Sequence, residues 1–268
     1  MTRRSGLACV AGVTAATICG LVALPPIPQS QAYHAFADTR RIVGVPNFLN
    51  VASNAAFVLV GAAGLIGLYR DGRRGCGMFA RSADRWPYAL LFAGVALTGL
   101  GSAYYHLAPD NARLVWDRLP MAIAFAALFS AVVTERIDGA VGTALLAPLV
   151  TASVASVLYW HLTEAAGHGD LRPYIFVQFY PLLAIPLIMY LFPSRYSRSG
   201  DLLAAAALYA VAKGFEALDA VIYALGSIVS GHTLKHLTAA AATVLIIRML
   251  QIRRLAPAGE NAFSAAGR

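Results

Sequence analysis

The chain has 268 residues, of which 59% are apolar and only 13% charged, with 21 basic and 13 acidic side chains. An ordinary soluble domain carries roughly 25% charged residues, so this composition excludes a water-soluble fold. Disorder, collagen and coiled coil are excluded too, because the apolar residues come in long blocks rather than repeats. The three cysteines, Cys9, Cys19 and Cys76, give neither a paired framework nor CxxC metal spacing. In a chain this apolar, the formal charge of +8 reads as loop charge that orients membrane spans, not as a nucleic-acid patch.

The first apolar stretch, Gly6 to Leu24, follows the basic Thr2-Arg3-Arg4 and ends at Pro25-Pro26-Ile27-Pro28, which stops any helix. Ser30-Gln31-Ala32 resembles a signal-peptidase site, so residues 1–32 read either as a signal peptide or as a retained N-terminal span. A spanning helix needs about 20 mostly apolar residues. Seven further stretches approach that length, near 47–69, 87–107, 119–134, 139–162, 173–193, 201–224 and 231–250. The third is short, with a start one turn earlier, near Asp117, as the alternative. The predicted fold is an all-α membrane protein: a seven-transmembrane helix bundle over residues 33–250, with the extra N-terminal segment before it. Residues 251–268 are expected to form a disordered cytoplasmic tail.

Orientation follows from the basic residues. With the C-terminus inside, Arg70, Arg73, Arg74, Arg81, Arg85, Arg136, Arg195, Arg198, Arg248, Arg253, Arg254 and Arg268 fall on the inner side, joined by Arg3 and Arg4 if the first stretch crosses or acts as a signal. Only Arg40, Arg41, Arg113, Arg118 and Arg172 fall outside, and Lys213 and Lys235 lie within spans. This bias satisfies the positive-inside rule. The Ala- and Arg-rich composition points to a bacterial inner membrane.

Polar groups within spans are costly and ask for a partner or a role. The assigned topology gathers most of them at one depth. Asn47, Asn50, Ser53 and Asn54 open the first core span; Ser102 and His106 close the second; Asp117 precedes the third. Tyr174 and Gln178 open the fifth, Glu216 and Asp219 close the sixth, and His232, Lys235 and His236 open the last. The inner halves are nearly all Ala, Leu, Val and Ile. A plug of interhelical hydrogen bonds is the plain reading, but plugs favour Ser, Thr and Asn over histidines plus carboxylates.

His232 and His236 are four residues apart, so they project from one helix face as a zinc half-site. His106 can add a third ligand, and three protein ligands with an open position is the catalytic arrangement. Ser102 shares a face with His106; its plain alternative is a hydroxyl bonded back to the Thr98 carbonyl. Asp117, one turn before Pro120, has helix capping as its alternative. Glu216 and Asp219 either orient histidines or pair with Lys213 or Lys235. His34, His161 and His168 are expected to be interfacial polar residues.

Ser102-x3-His106, Asp117 eleven residues on, and a last-helix His232-x3-His236 together resemble the alkaline ceramidase family. That family belongs to a superfamily of seven-helix membrane hydrolases with the adiponectin/progestin-type receptors and the Per1 GPI-remodelling proteins. The blocks carrying the resemblance are PNFLNVASN, GSAYYH, WDRLPM, FEALDA and SGHTLKH, over roughly Asp38 to Arg248. It implies His106, His232 and His236 as zinc ligands, Asp117 as the group that activates water, and Ser102 as support for the oxyanion or water. Alkaline ceramidases also carry a calcium site with a Glu before the first-span Asn. Here that position is Asn47 and the upstream segment has only Asp38, which puts a calcium site in doubt.

The resemblance implies a zinc-dependent hydrolysis of the amide bond of ceramide or a similar N-acyl membrane lipid, giving a fatty acid and an amine. Two other classes use the same residues: a receptor-like or lipid-binding protein with structural zinc, and a phospholipid or GPI-lipid ester hydrolase. A transporter fits less well, because the polar set stops halfway across. A retinal protein would need Lys235 as its buried lysine, and the flanking histidines argue against it.

Overall fold

The computed structural model describes residues 2–75 and 77–255. Cys76 and most of the expected tail, residues 256–268, lie outside the described residues. Helix α1 (Arg3–Ala23) leads through a proline-rich strap to the short α2 (Phe48–Ala52) and to α3 (Ala55–Arg74). Then come α4 (Arg85–Leu107), α5 (Asn111–Arg136), α6 (Gly139–Ala165) and α7 (Arg172–Leu191). The chain closes with α8 (Ser199–Ala217), the short α9 (Asp219–Ala224) and α10 (Gly231–Ile252). No strand occurs among the described residues.

This is an all-α, multi-pass membrane protein. Seven helical segments are long and apolar enough to cross a bilayer: α1, α2 with α3, α4, α5, α6, α7 and α10. The expected sixth core span differs in kind. Its helix, α8, carries Asp201, Lys213 and Glu216 and is too charged to count as a simple apolar span. It nonetheless packs along α10 as part of the bundle.

Helix α5 is the axis. Its alanines Ala122, Ala124, Ala126, Ala127 and Ala131 are buried, and α4, α6 and α7 pack around it. Small residues let membrane helices approach closely, where dispersion and backbone contacts replace the absent hydrophobic driving force. The third span starts at Asn111, well before the expected 119, because Asp110 caps it by accepting from the Arg113 N–H at 2.7 Å. The hydropathy pattern missed these first two turns because Asp117 and Arg118 interrupt the apolar run. Both side chains are in fact buried.

Several arginines assigned to loops are also buried in the fold. Arg118 stacks over Trp160 at 4.2 Å and Tyr174 at 4.8 Å, and donates to Gln29 Oε1 at 2.6 Å. Arg136 donates to the Met189 and Phe192 carbonyls, and Arg253 pairs with Glu135 beneath the Tyr196 ring. These three hold helices together as well as carrying charge.

The N-terminal segment packs on the bundle. Gly6 of α1 lies against the Phe192 ring, and Thr14 hydrogen-bonds Tyr180 of α7. Beyond the prolines, the Ile27 carbonyl accepts from Leu171 at 2.8 Å and the Gln29 N–H donates to Glu164 Oε2 at 2.9 Å. The strap then crosses the mouth of the bundle, buries Phe36 in its interior and sets the exposed Tyr33 at the edge of the cavity.

Candidate metal centre

The last helix starts where the Ser230 hydroxyl accepts from the Thr233 N–H at 3.3 Å. Gly231 makes that start possible: a Cβ there would lie 2.1 Å from the Phe215 carbonyl oxygen at the end of α8. One turn of helix then sets His232 and His236 on the same face. His106, in the last turn of α4, meets them from the side. His106 Nε2 lies 3.2 Å from His232 Nε2, and one nitrogen from each of the three rings falls within 4.8 Å of the others. All three histidines are buried.

The surroundings orient these rings. Ser53, between α2 and α3, holds its Oγ 2.8 Å from His236 Nδ1, which leaves Nε2 for the cluster. Asn47 donates to the His106 carbonyl at 2.8 Å. The Phe36 ring stands 4.6 Å from that of His106 and 4.5 Å from that of His232, and shields the cluster on the strap side. His106 Nδ1 is buried with no hydrogen-bond partner among the described residues. Two imidazole nitrogens at 3.2 Å in a dry interior need a proton or a cation between them. Three converging imidazoles are a donor set that fits zinc.

Ser102 and Asp117 come together through one glycine. A Cβ on Gly101 would sit 1.9 Å from the Trp116 carbonyl oxygen and 3.3 Å from the Asp117 nitrogen. Only glycine lets α4 and α5 touch there, and that contact brings the next residue, Ser102, beside Asp117. Both side chains are buried and line one cavity with His236. The plain alternatives for these residues fall elsewhere. Back-bonding in α4 belongs to Thr98, whose hydroxyl donates to the Gly94 carbonyl at 2.8 Å, and the cap of α5 is Asp110.

The cavity, about 170 Å³, has two characters. At the histidine end it is polar, with Ser102, Asp117, His236, Tyr33, Lys235 and Glu216. Toward the other end it is walled by Leu91, Leu128, Ile185, Leu202 and Ile246. From His236 to Ile246 along α10 is about 15 Å at 1.5 Å per residue, half of a hydrocarbon core of about 30 Å.

Glu216 and Asp219 do not form a matched pair on one helix, since α8 ends at Ala217. Glu216 binds both lysines, Lys235 at 3.0 Å and Lys213 closely. Asp219 takes two backbone amides, His232 N–H at 2.7 Å and Ala37 N–H at 3.0 Å, and so fixes the strap to the start of α10. His34 is tied by both ring nitrogens, to the Tyr105 hydroxyl and to Asn111 Oδ1, each at 2.8 Å. At the strap, Arg40 grips Asp38 through both carboxylate oxygens, at 2.8 and 2.7 Å. These hydrogen bonds hold the Asp38 carboxyl below the usual range.

The polar set at this depth includes Ser53, though not its bond to His236, while Phe36 and Gly101 lie outside that set. For Gly101 the local signal is its adjacency to Ser102 in GSAYYH. The partnerships themselves join residues far apart in the chain.

A family model described as Ceramidase matches residues 43–212. This stretch contains Ser102, His106 and Asp117, while His232 and His236 lie beyond its end. No curated protein matches the chain. With more than half of its 268 residues matched, and with the helical bundle described above, the chain belongs to the ceramidase family.

Proposed function

We propose that this protein is a zinc-dependent intramembrane lipid amidase that cleaves the amide bond of ceramide or a similar N-acyl lipid. One observation carries the reading: the polar end of the cavity, with Ser102, Asp117 and His236, continues directly into an apolar tube one leaflet deep. A scissile amide at the first and an acyl chain in the second is the arrangement that a membrane amidase requires.

His106, His232 and His236 would hold the zinc ion. When bound, zinc supplies Lewis acidity, polarising a carbonyl and making water acidic near neutral pH. The Asp117 carboxylate accepts the proton of the attacking water and passes it to the amide nitrogen. The water oxygen bonds to the acyl carbon, the C–N bond breaks, and a fatty acid and an amine leave. The Ser102 hydroxyl donates to the oxygen that gains negative charge. Burial of both groups lets these interactions act without competing water. Leu91, Leu128, Ile185, Leu202 and Ile246 bind the acyl chain and fix the depth of the amide. Tyr33 and Phe36 of the strap close the site.

The basic bias of the opposite end favours a cytoplasmic C-terminus, with the reaction in the outer half of the bilayer. The test is to purify the wild type and His232→Ala, measure zinc per chain, and follow release of fatty acid from a labelled ceramide. The variant is expected to lose zinc and turnover together. Unchanged zinc and unchanged turnover would overturn the reading.

A further inference from the structure

The apolar tube ends at one depth on five helices. Leu91 of α4, Leu128 of α5, Ile185 of α7, Leu202 of α8 and Ile246 of α10 wall its deep end. One to two turns beyond them, away from the histidines, the interior becomes polar. The Tyr88 hydroxyl donates to Glu135 Oε1 at 2.9 Å, and Arg253 pairs with the same carboxylate. Arg136 donates to the Met189 and Phe192 carbonyls at 3.1 and 2.9 Å. These groups satisfy one another and form a plate across the bundle. An alkyl chain entering it would part a buried ion pair, and a charge left buried without its partner is costly.

Between tube and plate lies a void of about 10 Å³, room for about one water, with Val132, Ser199 and Met249 on its walls. Leu202 alone among the described residues lines both this void and the tube. It sits in the first turn of α8, which Arg198 and Asp201 pin by an ion pair at 2.8 Å. Leu91, Ile185 and Ile246 are buried in the same apolar cluster, so the tube is closed toward the lipid at this level. One leucine side chain thus separates the end of the tube from the space beneath it.

We propose that Leu202 is the floor of the acyl tube and sets the longest acyl chain that the protein accepts. This inference rests on the amidase reading for the placement of the amide by Ser102 and Asp117. With the amide held there, each added methylene carries the methyl end of the chain closer to Leu202. Once that end touches the floor, a longer chain displaces the amide from the polar groups. A single surplus methylene in a closed apolar pocket discriminates about 10- to 200-fold. The tube is about 15 Å deep, the hydrocarbon thickness of one leaflet. Acyl chains that fill one leaflet are therefore accepted, and very long ones are rejected.

The test measures kcat/KM of the zinc-loaded full chain in nanodiscs on sphingosines N-acylated with myristoyl, palmitoyl, stearoyl, arachidoyl and lignoceroyl chains. The wild type is expected to turn over the lignoceroyl lipid at least about tenfold less well than the palmitoyl lipid. Leu202→Ala should move the optimum to longer chains, with the milder Leu202→Val in between, and Leu202→Phe should move it to shorter ones. Opposite shifts from one position are the mark of a floor, whereas a general packing defect lowers all chain lengths alike. Met249→Ala enlarges the void beneath an intact Leu202, so its optimum should stay at the wild-type length. Combined with Leu202→Ala, it should lengthen the optimum further. In an Asp117→Asn background the same lipids compete for the protein, and native mass spectrometry reads which chain is bound. An optimum unmoved by every Leu202 variant, or moved the same way by Ala and Phe, overturns the floor. Failure of the wild type to hydrolyse any of the five lipids overturns the amidase reading instead, while the binding competition still reports on Leu202.

Discussion

Ser53 and His236 are 183 residues apart in the chain, yet Ser53 Oγ lies 2.8 Å from His236 Nδ1. A ring nitrogen held this way fixes both the tautomer and the plane of the imidazole, and presents Nε2 to the other two histidines. Ser53 can do this because α2 ends at Ala52 and α3 begins at Ala55, so its side chain leaves the helix path at the break.

Ser53→Ala is therefore expected to leave the fold intact and weaken zinc binding about 10- to 100-fold, the usual effect of losing such a partner. A competition titration with a zinc chelator measures it. Wild-type affinity in the variant would remove Ser53 from the site.

Asp117→Asn tests the proton-transfer role. The amide side chain has nearly the same shape but does not accept the proton of water, so turnover should fall about 10²- to 10⁴-fold. Zinc content should stay at the wild-type level, because the three histidines are untouched. A receptor-like protein would keep its ligand affinity in this variant and lose nothing else.

Gly101→Ala probes the α4–α5 contact. The added methyl group would fall 1.9 Å from the Trp116 carbonyl oxygen, so the helices must separate. Overpacking of this kind costs about 1–3 kcal/mol and occasionally more. A lower Tm in detergent is expected, together with reduced turnover, because Ser102 and Asp117 move apart.

Asp170, in the loop between α6 and α7, is bound by Arg172 at 2.8 Å through each carboxylate oxygen. This hydrogen bonding holds its pKa down at about 2. A carboxylate with a depressed folded pKa contributes stability in full above its unfolded value, and loses it as pH falls through the folded value. Arg172→Gln should thus lower Tm most above about pH 4, the ordinary carboxylate range, and the gap from wild type should close toward pH 2. Melting curves at pH 6 and pH 2.5 check this; a gap independent of pH would refute it.

The elements of the fold were legible where hydropathy is a sufficient signal. The starts of α6 and α10 fall at Gly139 and Gly231 as the apolar blocks indicate, because Asp138 and Ser230 cap them. The signal failed at α5, where Asp117 and Arg118 interrupt the apolar run although both are buried. It also overstated the sixth core span, which breaks at Leu218 into α8 and α9. Basic residues were read by position along the chain alone, so Arg118, Arg136 and Arg253 looked like loop charge although each is buried against aromatic rings or carbonyls.

The sequence by itself determined the solvent, the helical class and the residue types available for chemistry. Scarcity made this possible, since with 13% charged residues each His, Asp or Lys in an apolar run stands out. Helical spacing also determined which neighbours share a face, as with Ser102 and His106 or His232 and His236. Only the tertiary structure decided which faces meet. Gly101 against Trp116 brings Ser102 to Asp117, Gly231 against Phe215 seats α10 beside α8, and the strap sets Phe36 over the histidines. It also decided that Glu216 binds two lysines while Asp219 binds two backbone amides. Periodicity constrains one helix at a time, whereas a site is made by close approaches between helices. Those depend on where a missing side chain lets two backbones touch.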